Sequence, residues 1–290
     1  MLLDGAMTGE DSEVRNFFTL DIEEWYRVNY GGIDLAKCRE LPSNLEATVD
    51  RLIELCEMNN VKTTCFVLGQ LAEENPGVVR KLHRAGHEIA SHGYGHQMIT
   101  QMKPEEFRQD LTRSSKILEN IIGEKVIGYR APSYSVTKEN LEWFYSTLEE
   151  LGFRYSSSVF PAKAFLYGIK DFPQQMHLPV INGRRCSVME IPVPVVSIIG
   201  KKIGLYIRLF PSRFIIAFIE RRNRRGQSVF LYLHPREIDV RQPKLSLPFW
   251  TSLIHYWGIR GCEKRVADIL RVCGPGFFRM RDILPPQCKA

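Results

Sequence analysis

Residues 86–96 read Gly-His-Glu-Ile-Ala-Ser-His-Gly-Tyr-Gly-His and hold three of the seven histidines of the chain. The apolar pair Ile89 and Ala90 is typical of the end of a short buried strand. His92 and His96 stand four residues apart, so one turn of helix or a tight glycine-containing loop would place both imidazoles on one side. Two neutral imidazoles at that spacing can share a divalent metal ion. A solvated, histidine-rich loop is the alternative, and a third, acidic ligand would decide between the two.

An acidic ligand is available at the end of the first predicted strand. Phe17–Glu23 is a short apolar run that ends in acids, as in a strand of a parallel sheet that is buried on both faces. Because side chains alternate along a strand, Asp21 and Glu23 are predicted to project to one side while Ile22 points away. Such carboxylates lie where α/β folds keep their chemistry. The alternative is an exposed acidic loop start, which also accounts for Glu24.

The remaining hydrophobic pattern predicts six or seven strands that alternate with helices. This alternation indicates a parallel α/β fold, and we expect a (β/α) barrel rather than an open sheet. The absence of a dinucleotide-binding or Walker-type glycine motif argues against a nucleotide-binding sheet. The predicted helices are Ser43–Asn59, Pro76–Ala85, Lys103–Ile122, Glu139–Leu151 and Pro211–Arg222. The later predicted strands are Val61–Gly69, the segment leading into His92, Val126–Tyr129, Arg154–Phe160, Met189–Val195 and Ser228–Leu233.

The composition is that of an ordinary globular protein. Of the 290 residues, 44% are hydrophobic and 25% are charged, and the formal net charge is +6. We assign the basic cluster Arg221–Arg225 to a solvated helix end, with a phosphate or anionic-lipid contact as the alternative, and expect no nucleic-acid partner. The seven scattered cysteines form no Cys-x-x-Cys pair, so they indicate reduced thiols rather than a disulfide framework or a cysteine zinc site.

The chain shows no evident targeting or membrane-spanning signal. Residues 1–16 have no apolar core of signal-peptide length, and no apolar run is long enough to span a bilayer. Leu205–Ile219 is interrupted by Arg208, Pro211 and Arg213, and we expect it to pack on the domain rather than on a membrane. These features predict a cytoplasmic protein, with a peripheral membrane contact or a lipid-linked substrate left open.

Polar side chains directly follow several of the predicted strands. In a parallel barrel the carboxyl ends of all strands share one rim, so separate stretches of sequence meet there. The sequence therefore predicts one site at this rim. Its expected members are Asp21, Glu23, His92, His96, Arg130 and His234.

Four short motifs occur in order along the chain: Thr19-Leu20-Asp21-Ile22-Glu23, Ser91-His92-Gly93-Tyr94-Gly95-His96, Arg130-Ala131-Pro132 and Leu233-His234-Pro235. In this order and spacing they resemble the motifs of the polysaccharide deacetylases, or NodB-homology carbohydrate esterases. The resemblance runs from about Phe17 to Glu237 and implies a distorted (β/α)7-type barrel. Gly152–Pro161 and the tail look like the subgroup found at exopolysaccharide and exosortase loci, whose extra C-terminal segment corresponds to about Ile238–Pro285.

This resemblance implies an organisation in three parts. Residues 1–16 are expected to form a flexible tail, residues 17–237 a deacetylase barrel, and residues 238–290 an extension that packs on the barrel. The apolar side chains of the extension are expected to cover the barrel surface, and they include Phe249, Trp250, Leu253 and Ile254.

The family implies a hydrolase that removes N-acetyl groups from amino sugars of a surface polysaccharide or its precursor. His92, His96 and Glu23 would hold a divalent ion, with Zn²⁺ expected. Asp21 would act as the catalytic base that takes a proton from the attacking water. Arg130 would fix Asp21 through a charge-assisted contact.

The family also implies groups that act on the amide as it breaks. His234 would be the general acid that protonates the departing sugar amine. A backbone N–H after Pro132, at Ser133 or Tyr134, would help the metal to hold the oxyanion.

Two positions depart from the family pattern. Most members have adjacent aspartates in the first motif, whereas Ile22 stands in second place here, so we prefer Glu23 over Glu24 as the metal ligand. The fourth motif supplies an aspartate that pairs with the motif arginine, and Ser156 stands in its place. The arginine is then expected to lose that charged partner, unless Glu190 at the start of the next strand replaces the aspartate.

Two other classes of function remain as alternatives. A pseudo-enzyme that binds glycan or metal without turnover is suggested by Ser156. A non-haem Fe(II) enzyme is suggested because two histidines and a carboxylate also form a facial triad, although His234 and the Arg-x-Pro loop have no evident role in that chemistry. A branch that acts on ureide-like amides is a variant of the deacetylase hypothesis.

Overall fold

The structure is a computed structural model and describes residues 14–162, 168–198 and 201–284. Most of the predicted tail over residues 1–16 and the end of the predicted extension, residues 285–290, lie outside the described residues. The boundaries of the three predicted parts stay predictions.

The strands of the described residues build one main sheet and two hairpins. Their bounds are β1 Asn16–Ile22, β2 Thr64–Val67, β3 Glu88–Ser91, β4 Gly128–Tyr129, β5 Tyr155–Ser156, β6 Val180–Ile181, β7 Arg184–Arg185, β8 Met189–Glu190, β9 Val195–Ile198, β10 Lys201–Gly204, β11 Phe230–Leu233 and β12 Phe277–Phe278. The main sheet runs in the order β11-β1-β2-β3-β4-β5-β8, with β12 also paired to β1. Every pair in it is parallel, whereas β6–β7 and β9–β10 are antiparallel hairpins.

Helices connect the successive strands of the main sheet except β5 and β8, between which the described residues contain the β6–β7 hairpin. The apolar sides of these helices join the outer face of the strands in one large core. Their bounds are α1 Leu35–Arg39, α2 Leu45–Met58, α3 Gly69–Glu74, α4 Pro76–Arg84, α5 Pro104–Ile122, α6 Leu141–Glu150, α7 Ser212–Asn223, α8 Phe249–Tyr256 and α9 Cys262–Cys273. This arrangement confirms the predicted α/β fold, a curled, mostly parallel sheet of the (β/α)7 type. The short helices α1 and α3, both hairpins and β12 were not predicted, because short elements carry little periodic signal. Helices α8 and α9 were not predicted either, although the buried side chains of α9 (Cys262, Val266, Ile269 and Leu270) repeat at helical spacing.

The first strand shows how the alternation places the site. All seven residues of β1 are buried. Phe18, Leu20 and Ile22 pack with the helices in the outer core, whereas Phe17 packs inside the curled sheet. Asp21, two residues from Thr19 and four from Phe17, therefore shares the inner side, as the strand period requires.

Five strands of the main sheet are shorter than the sequence predicts: β2, β4, β5, β8 and β11. The strand predicted over Arg154–Phe160 contains only the two residues of β5. The N–H groups of Ser158 and Val159 donate to a side-chain oxygen of Glu190, at 2.8 and 2.9 Å, instead of continuing a strand ladder. A buried carboxylate therefore ends the pairing here, which hydrophobic pattern alone does not reveal.

The segment around Leu205 packs on the domain, as expected. Leu205 and Ile207 are buried although they precede the helix, and α7 buries Ile215 and Ile219. No helix within the described residues combines the length and the apolar character needed to cross a bilayer.

The C-terminal segment contributes at two places. β12 pairs with the first residues of β1, at the amino end of the sheet. The expectation that the apolar residues of α8 cover the barrel is wrong, because Phe249, Trp250, Leu253 and Ile254 are 72%, 72%, 41% and 59% exposed. The helix packs instead through its opposite side, where His255 is buried.

Candidate active site

A cleft of about 450 Å³ opens at the carboxyl ends of the parallel strands. The structure brings the predicted site residues together there. Asp21 belongs to β1, Glu23 follows it, and His92 directly follows β3. Arg130 directly follows β4 but lies beneath the cleft, fully buried. The predicted residues that line the cleft are Asp21, Glu23, His92, His96, Ser133, Tyr134 and His234.

Glu23, His92 and His96 form a candidate metal centre. One ligand atom of each lies within 4.8 Å of the others. The Nδ1 atom of His92 lies 2.8 Å from the carbonyl oxygen of Arg130. Because a carbonyl oxygen only accepts, Nδ1 carries the proton and donates it, which leaves Nε2 of His92 as a lone-pair donor for an ion.

The carboxylate of Glu23 tests whether these residues fit an ion. Its Oε2 atom is buried without a hydrogen-bond partner, although it lies only 2.9 Å from Nε2 of His96. Two such atoms, close together but not aligned for a hydrogen bond, are arranged as ligands of a common cation are. One carboxylate and two imidazoles with an open side are also the donor set of catalytic zinc sites. The three residues therefore fit a divalent ion.

The charges around this centre favour its ligand-competent forms. Burial alone would raise the pKa of Glu23, but its interactions with His96, Arg236 and His234 hold it well below its usual range. Arg236 contacts Oε1 of Glu23 through Nη1. Burial lowers the pKa of His92 to about 4. A charged carboxylate and a neutral imidazole are the forms that bind metal.

A tight glycine-containing loop, and not a turn of helix, joins His92 to His96. It is one of the two arrangements predicted for this pair. Gly93 has φ of 76°, and a Cβ there would lie 3.0 Å from Oδ2 of Asp110. The same oxygen accepts the N–H of Tyr94 at 2.9 Å. His96 itself adopts φ of 62°, which side-chain-bearing residues rarely do. The chain is thus bent sharply so that His96 faces Glu23.

Arg130 anchors Asp21 from inside the sheet. Its Nη1 donates to Oδ1 of Asp21 at 2.5 Å and to Oγ1 of Thr19 at 3.0 Å. Nη2 donates to Oγ of Ser157 at 3.2 Å, and the guanidinium lies 3.9 Å from the ring centroid of Phe66. The buried cation is thus compensated by one carboxylate, two hydroxyl groups and an aromatic face.

Ser156 removes the charged partner that the fourth motif supplies in the family, whereas the predicted contact of Arg130 with Asp21 is present. The hydroxyl of Ser156 donates to that of Ser158, and Asp21 supplies the charge that Arg130 needs. Glu190 does not take the place of the family aspartate either. One of its oxygens accepts two backbone N–H groups and the other accepts the hydroxyl of Tyr145 at 2.8 Å.

His234 faces the two acids of the first motif. Its Nε2 atom lies 3.8 Å from Oδ2 of Asp21 and 3.5 Å from Oε1 of Glu23. Its Nδ1 atom lies 3.5 Å from Oε2 of Glu237, which also accepts the backbone N–H of His234 at 3.2 Å. Burial alone would raise the pKa of Glu237, but His234 and Arg208 lower it to about 2.

Sequence reasoning missed three charged residues around this histidine. Glu237 and Arg236 follow His234 in a short turn over Pro235–Glu237, and the i, i+3 spacing of His234 and Glu237 is the signal that could have found the acid. Arg208 donates from Nε to Glu237 at 2.9 Å and from Nη1 to two carbonyls of the α8 region. No local pattern marks Arg208, because its partners are distant in sequence.

The remaining predicted residues occupy different places. Glu24 accepts the hydroxyl of Ser43 at 2.8 Å, outside the cleft lining. Ser133 and Tyr134 line the cleft with φ of 55° and 52°. The N–H of Tyr134 donates to the carbonyl of Ala131 at 3.0 Å. Of the two backbone groups proposed for the oxyanion, that of Ser133 is therefore the better candidate.

Comparisons with known proteins agree with this fold. The polysaccharide deacetylase family model matches residues 40–156, and a domain of unknown function (DUF3473) matches residues 157–284. The chain is 29% identical over 157 residues to the peptidoglycan deacetylase-like protein FGM2 of Gibberella zeae, covering 50% of this chain and 45% of that protein. It is 28% identical over 93 residues to a peptidoglycan-N-acetylglucosamine deacetylase of Bacillus cereus, covering 32% and 34%. The chain thus spans less than half the length of these curated relatives.

A solved structure agrees over nearly the whole chain. The crystal structure of a putative polysaccharide deacetylase from Mycobacterium smegmatis superposes with a TM-score of 0.57 at 21% identity, covering 99% of both chains. At this identity the likeness shows the fold alone. The family match and the sequence relatives place residues 40–156 in the polysaccharide deacetylase family, and the (β/α)7-type fold of the chain agrees with this.

Proposed function

We propose that the protein is a metal-dependent hydrolase that removes N-acetyl groups from amino sugars of a polysaccharide or its precursor. The observation that carries this proposal is the cleft in which Asp21 and His234 both adjoin the Glu23–His92–His96 centre. Amide hydrolysis needs an activated water, a base for its proton and an acid for the leaving amine. The cleft offers a candidate for each of these roles.

The metal centre would be formed by Oε2 of Glu23 and Nε2 of His92 and His96. We propose Zn²⁺, because two imidazoles and a carboxylate suit it. A divalent ion bound there supplies Lewis-acid chemistry: it lowers the pKa of water and polarises the amide carbonyl.

Asp21 is the proposed general base. Oδ1 is held by Arg130, so Oδ2 remains directed into the cleft toward His234. Because Arg130 is fully buried, its contact fixes the carboxylate without exposing the cation to substrate. Asp21 would accept the proton of the water that attacks the acetyl carbon.

His234 and Ser133 are proposed to act on the other atoms of the amide. Nε2 of His234 lies on the cleft side of its ring and would give a proton to the sugar nitrogen as the C–N bond breaks. The N–H of Ser133 would donate to the carbonyl oxygen as it gains negative charge.

The cleft lining supports a sugar substrate. Tyrosines line it, and aromatic rings present apolar faces on which sugar rings can stack. Two of these rings, Tyr206 and Tyr232, contact each other edge to face with centroids 5.5 Å apart. The matched relatives are named for peptidoglycan or its N-acetylglucosamine, which supports an N-acetylated glycan here. The tyrosines are Tyr30, Tyr134, Tyr206 and Tyr232.

The biological role and the location predicted from the sequence are also part of this proposal. We propose a role in building an exopolysaccharide, and a cytoplasmic location at which a lipid-linked precursor would be met. The support is the resemblance of Gly152–Pro161 and the tail to the exopolysaccharide subgroup.

The proposal is tested by metal analysis combined with acetate release from chito-oligosaccharides. In Asp21→Asn we expect bound metal to persist while acetate release falls by roughly a thousandfold, since the base is lost. The free energy of unfolding should fall as well, because Arg130 loses its charged partner. In His92→Ala we expect both to be lost. His83→Ala, at a partly exposed surface position, is the matched control and should retain both. Full-rate acetate release in both site variants would disprove the mechanism.

A glycan-binding pseudo-enzyme of the same fold is the second candidate function. Ser156 suggests it, because this residue removes the charged partner that the fourth motif supplies to the arginine in the family, although Asp21 remains in contact with Arg130. A metal-loaded wild-type protein that binds chito-oligosaccharides without releasing acetate would favour this candidate.

A further inference from the structure

Helix α8 turns an apolar face outward. Phe249 and Trp250 are both 72% exposed, Ile254 and Trp257 are both 59% exposed, and Leu253 is 41% exposed. Positions 249, 250, 253 and 254 lie on one side of α8 because neighbouring members are separated by one, three or four residues, and Trp257 directly follows the helix. These five side chains are called the α8 face. It is the densest group of exposed large apolar side chains among the described residues.

The surroundings of the α8 face are positively charged. The sequence has no acidic residue from Val240 through Cys262. The same stretch carries Arg241, Lys244 and Arg260, all exposed. An apolar, partly aromatic helix face flanked by cations is complementary to an anionic lipid surface, in which the rings enter the interface and the cations meet the headgroups.

The α8 face borders the candidate active site. Ile254 belongs both to the α8 face and to the cleft lining, and its neighbour His255 lines the cleft from the buried side of the helix. Arg208 holds the end of α8 in place, because its Nη1 donates to the carbonyls of Ile254 and Trp257 at 2.6 and 2.9 Å. A surface that bound α8 would therefore lie beside the mouth of the cleft.

We propose that the α8 face docks the protein reversibly on an anionic membrane surface, and that the cleft thereby receives a glycan carried on a lipid. The second part rests on the proposed deacetylase function, whereas the docking itself does not. Aliphatic Leu253 and Ile254 favour a bilayer over a sugar chain, because sugar rings stack on aromatic faces and gain little from branched aliphatic groups. The flanking cations favour a bilayer over a second copy of the chain, which would bring the same charges together.

The test is co-sedimentation of the full chain with vesicles of equal parts phosphatidylglycerol and phosphatidylcholine, compared with phosphatidylcholine alone. We expect binding to the anionic vesicles that weakens as salt is raised. Phe249→Ser/Trp250→Ser should weaken binding by roughly tenfold or more, since both side chains leave water on docking. Arg241→Gln/Lys244→Gln should weaken it specifically on anionic vesicles. Met58→Ser/Val272→Ser removes two exposed apolar side chains elsewhere and should leave binding unchanged.

Acetate release from soluble chito-oligosaccharides separates this proposal from the proposed function. The Phe249→Ser/Trp250→Ser variant should keep the wild-type rate on that substrate. Failure of the wild type to bind anionic vesicles, or equal binding by this variant, would overturn the docking proposal. So would weaker chito-oligosaccharide affinity in the variant, which indicates a glycan surface, or a wild-type dimer that this variant abolishes. Vesicle binding without any acetate release would support docking and count against the deacetylase function alone.

Discussion

The buried pair of Arg130 and Asp21 is the residue-scale feature on which the site depends. Arg130 is fully buried, and Asp21 is its charged partner. Removing one member of such a pair leaves an uncompensated charge in the interior and typically costs about 3–5 kcal/mol. The hydroxyls of Thr19 and Ser157 and the ring of Phe66 complete the surroundings of the guanidinium. The chain thereby stabilises the motif arginine without the family aspartate.

Glu237 is expected to be a positioning residue for His234. Its pKa of about 2 keeps it charged at neutral pH, and its Oε2 atom lies 3.5 Å from Nδ1 of the histidine. A carboxylate beside Nδ1 favours the ring orientation in which Nε2 faces the cleft, although the two atoms do not form a hydrogen bond in this structure. We therefore expect Glu237→Gln to lower kcat by roughly 10- to 100-fold, as loss of such an orienting carboxylate does at other sites. KM for chito-oligosaccharides and bound metal should stay near the wild-type values.

The kcat and KM measurement distinguishes positioning from a general loss of structure. Asp239→Asn is the matched control, because it also removes one negative charge and lies two residues after Glu237. The carboxylate of Asp239 accepts a hydrogen bond from Asn44 and does not contact His234. That control should retain kcat. Equal kcat in Glu237→Gln and the wild type, or a loss of metal in Glu237→Gln, would contradict the positioning role.

Some residues of the site could be predicted from the sequence, and others could not. Asp21 and Glu23 were predictable as neighbours because a strand has a period of two residues, and His92 and His96 because of their spacing. Arg208 and Arg236 were not, because their importance comes from contacts with Glu237 and Glu23, across 29 and 213 residues. The contact of Arg236 with Glu23 forms only when β11 pairs with β1.

At the scale of elements, the loop that follows β3 sets the metal centre. Its shape depends on Gly93, whose carbonyl accepts the N–H of Gly69 at 2.8 Å and the hydroxyl of Ser114 at 3.0 Å. Asp110 of α5 holds the next N–H. Hydrogen bonds to α3 and α5 therefore fix the loop, and the loop in turn fixes the positions of His92 and His96.

Gly93→Ala is expected to damage the centre through the backbone. An alanine at φ of 76° is strained, and its Cβ would lie 3.0 Å from Oδ2 of Asp110. We expect a loss of about 1–2 kcal/mol in the free energy of unfolding. Metal affinity should fall by roughly tenfold, because displaced support weakens ligand geometry. Urea unfolding and metal titration would measure the two effects.

Gly95 offers a matched control in the same loop. A Cβ at Gly95 would meet no atom within 4 Å. Gly95→Ala should therefore keep both stability and metal affinity close to wild type. If the two alanine variants behaved alike, the role given to Gly93 would be wrong.

Elements with a long amphipathic pattern were predictable, and those fixed by tertiary contacts were not. Helix α5 was predicted as Lys103–Ile122 and is found as Pro104–Ile122, because Phe107, Leu111 and Leu118 repeat at helical spacing and are buried. The short strands β4 and β5 could not be bounded this way. Two-residue strands have no period to detect, and their ends depend on side chains such as that of Glu190.

At the scale of the whole molecule, the two ends of the curled sheet have different tasks. The carboxyl ends of the strands hold the cleft and its polar residues. The amino ends are closed by the C-terminal segment, where the N–H of Met280 donates to Oγ1 of Thr64 at 2.8 Å and that of Arg281 to Oε2 of Glu88 at 3.0 Å. We therefore expect that a substitution at the amino ends of the strands can lower stability without changing metal binding or kcat at the carboxyl ends.

Met280→Ala tests this separation. Met280 is fully buried and packs inside the curled sheet in the same cluster as Phe17 and Phe66. Its truncation should leave a cavity and lower the free energy of unfolding by about 2–4 kcal/mol in urea titrations. Metal content and kcat at a temperature well below the midpoint should stay unchanged, since the rim is at the opposite end. Met58→Ala, at a side chain that is 72% exposed, should change stability by about 0.5 kcal/mol or less. A folded Met280→Ala protein that had lost its metal would show that the two ends are coupled.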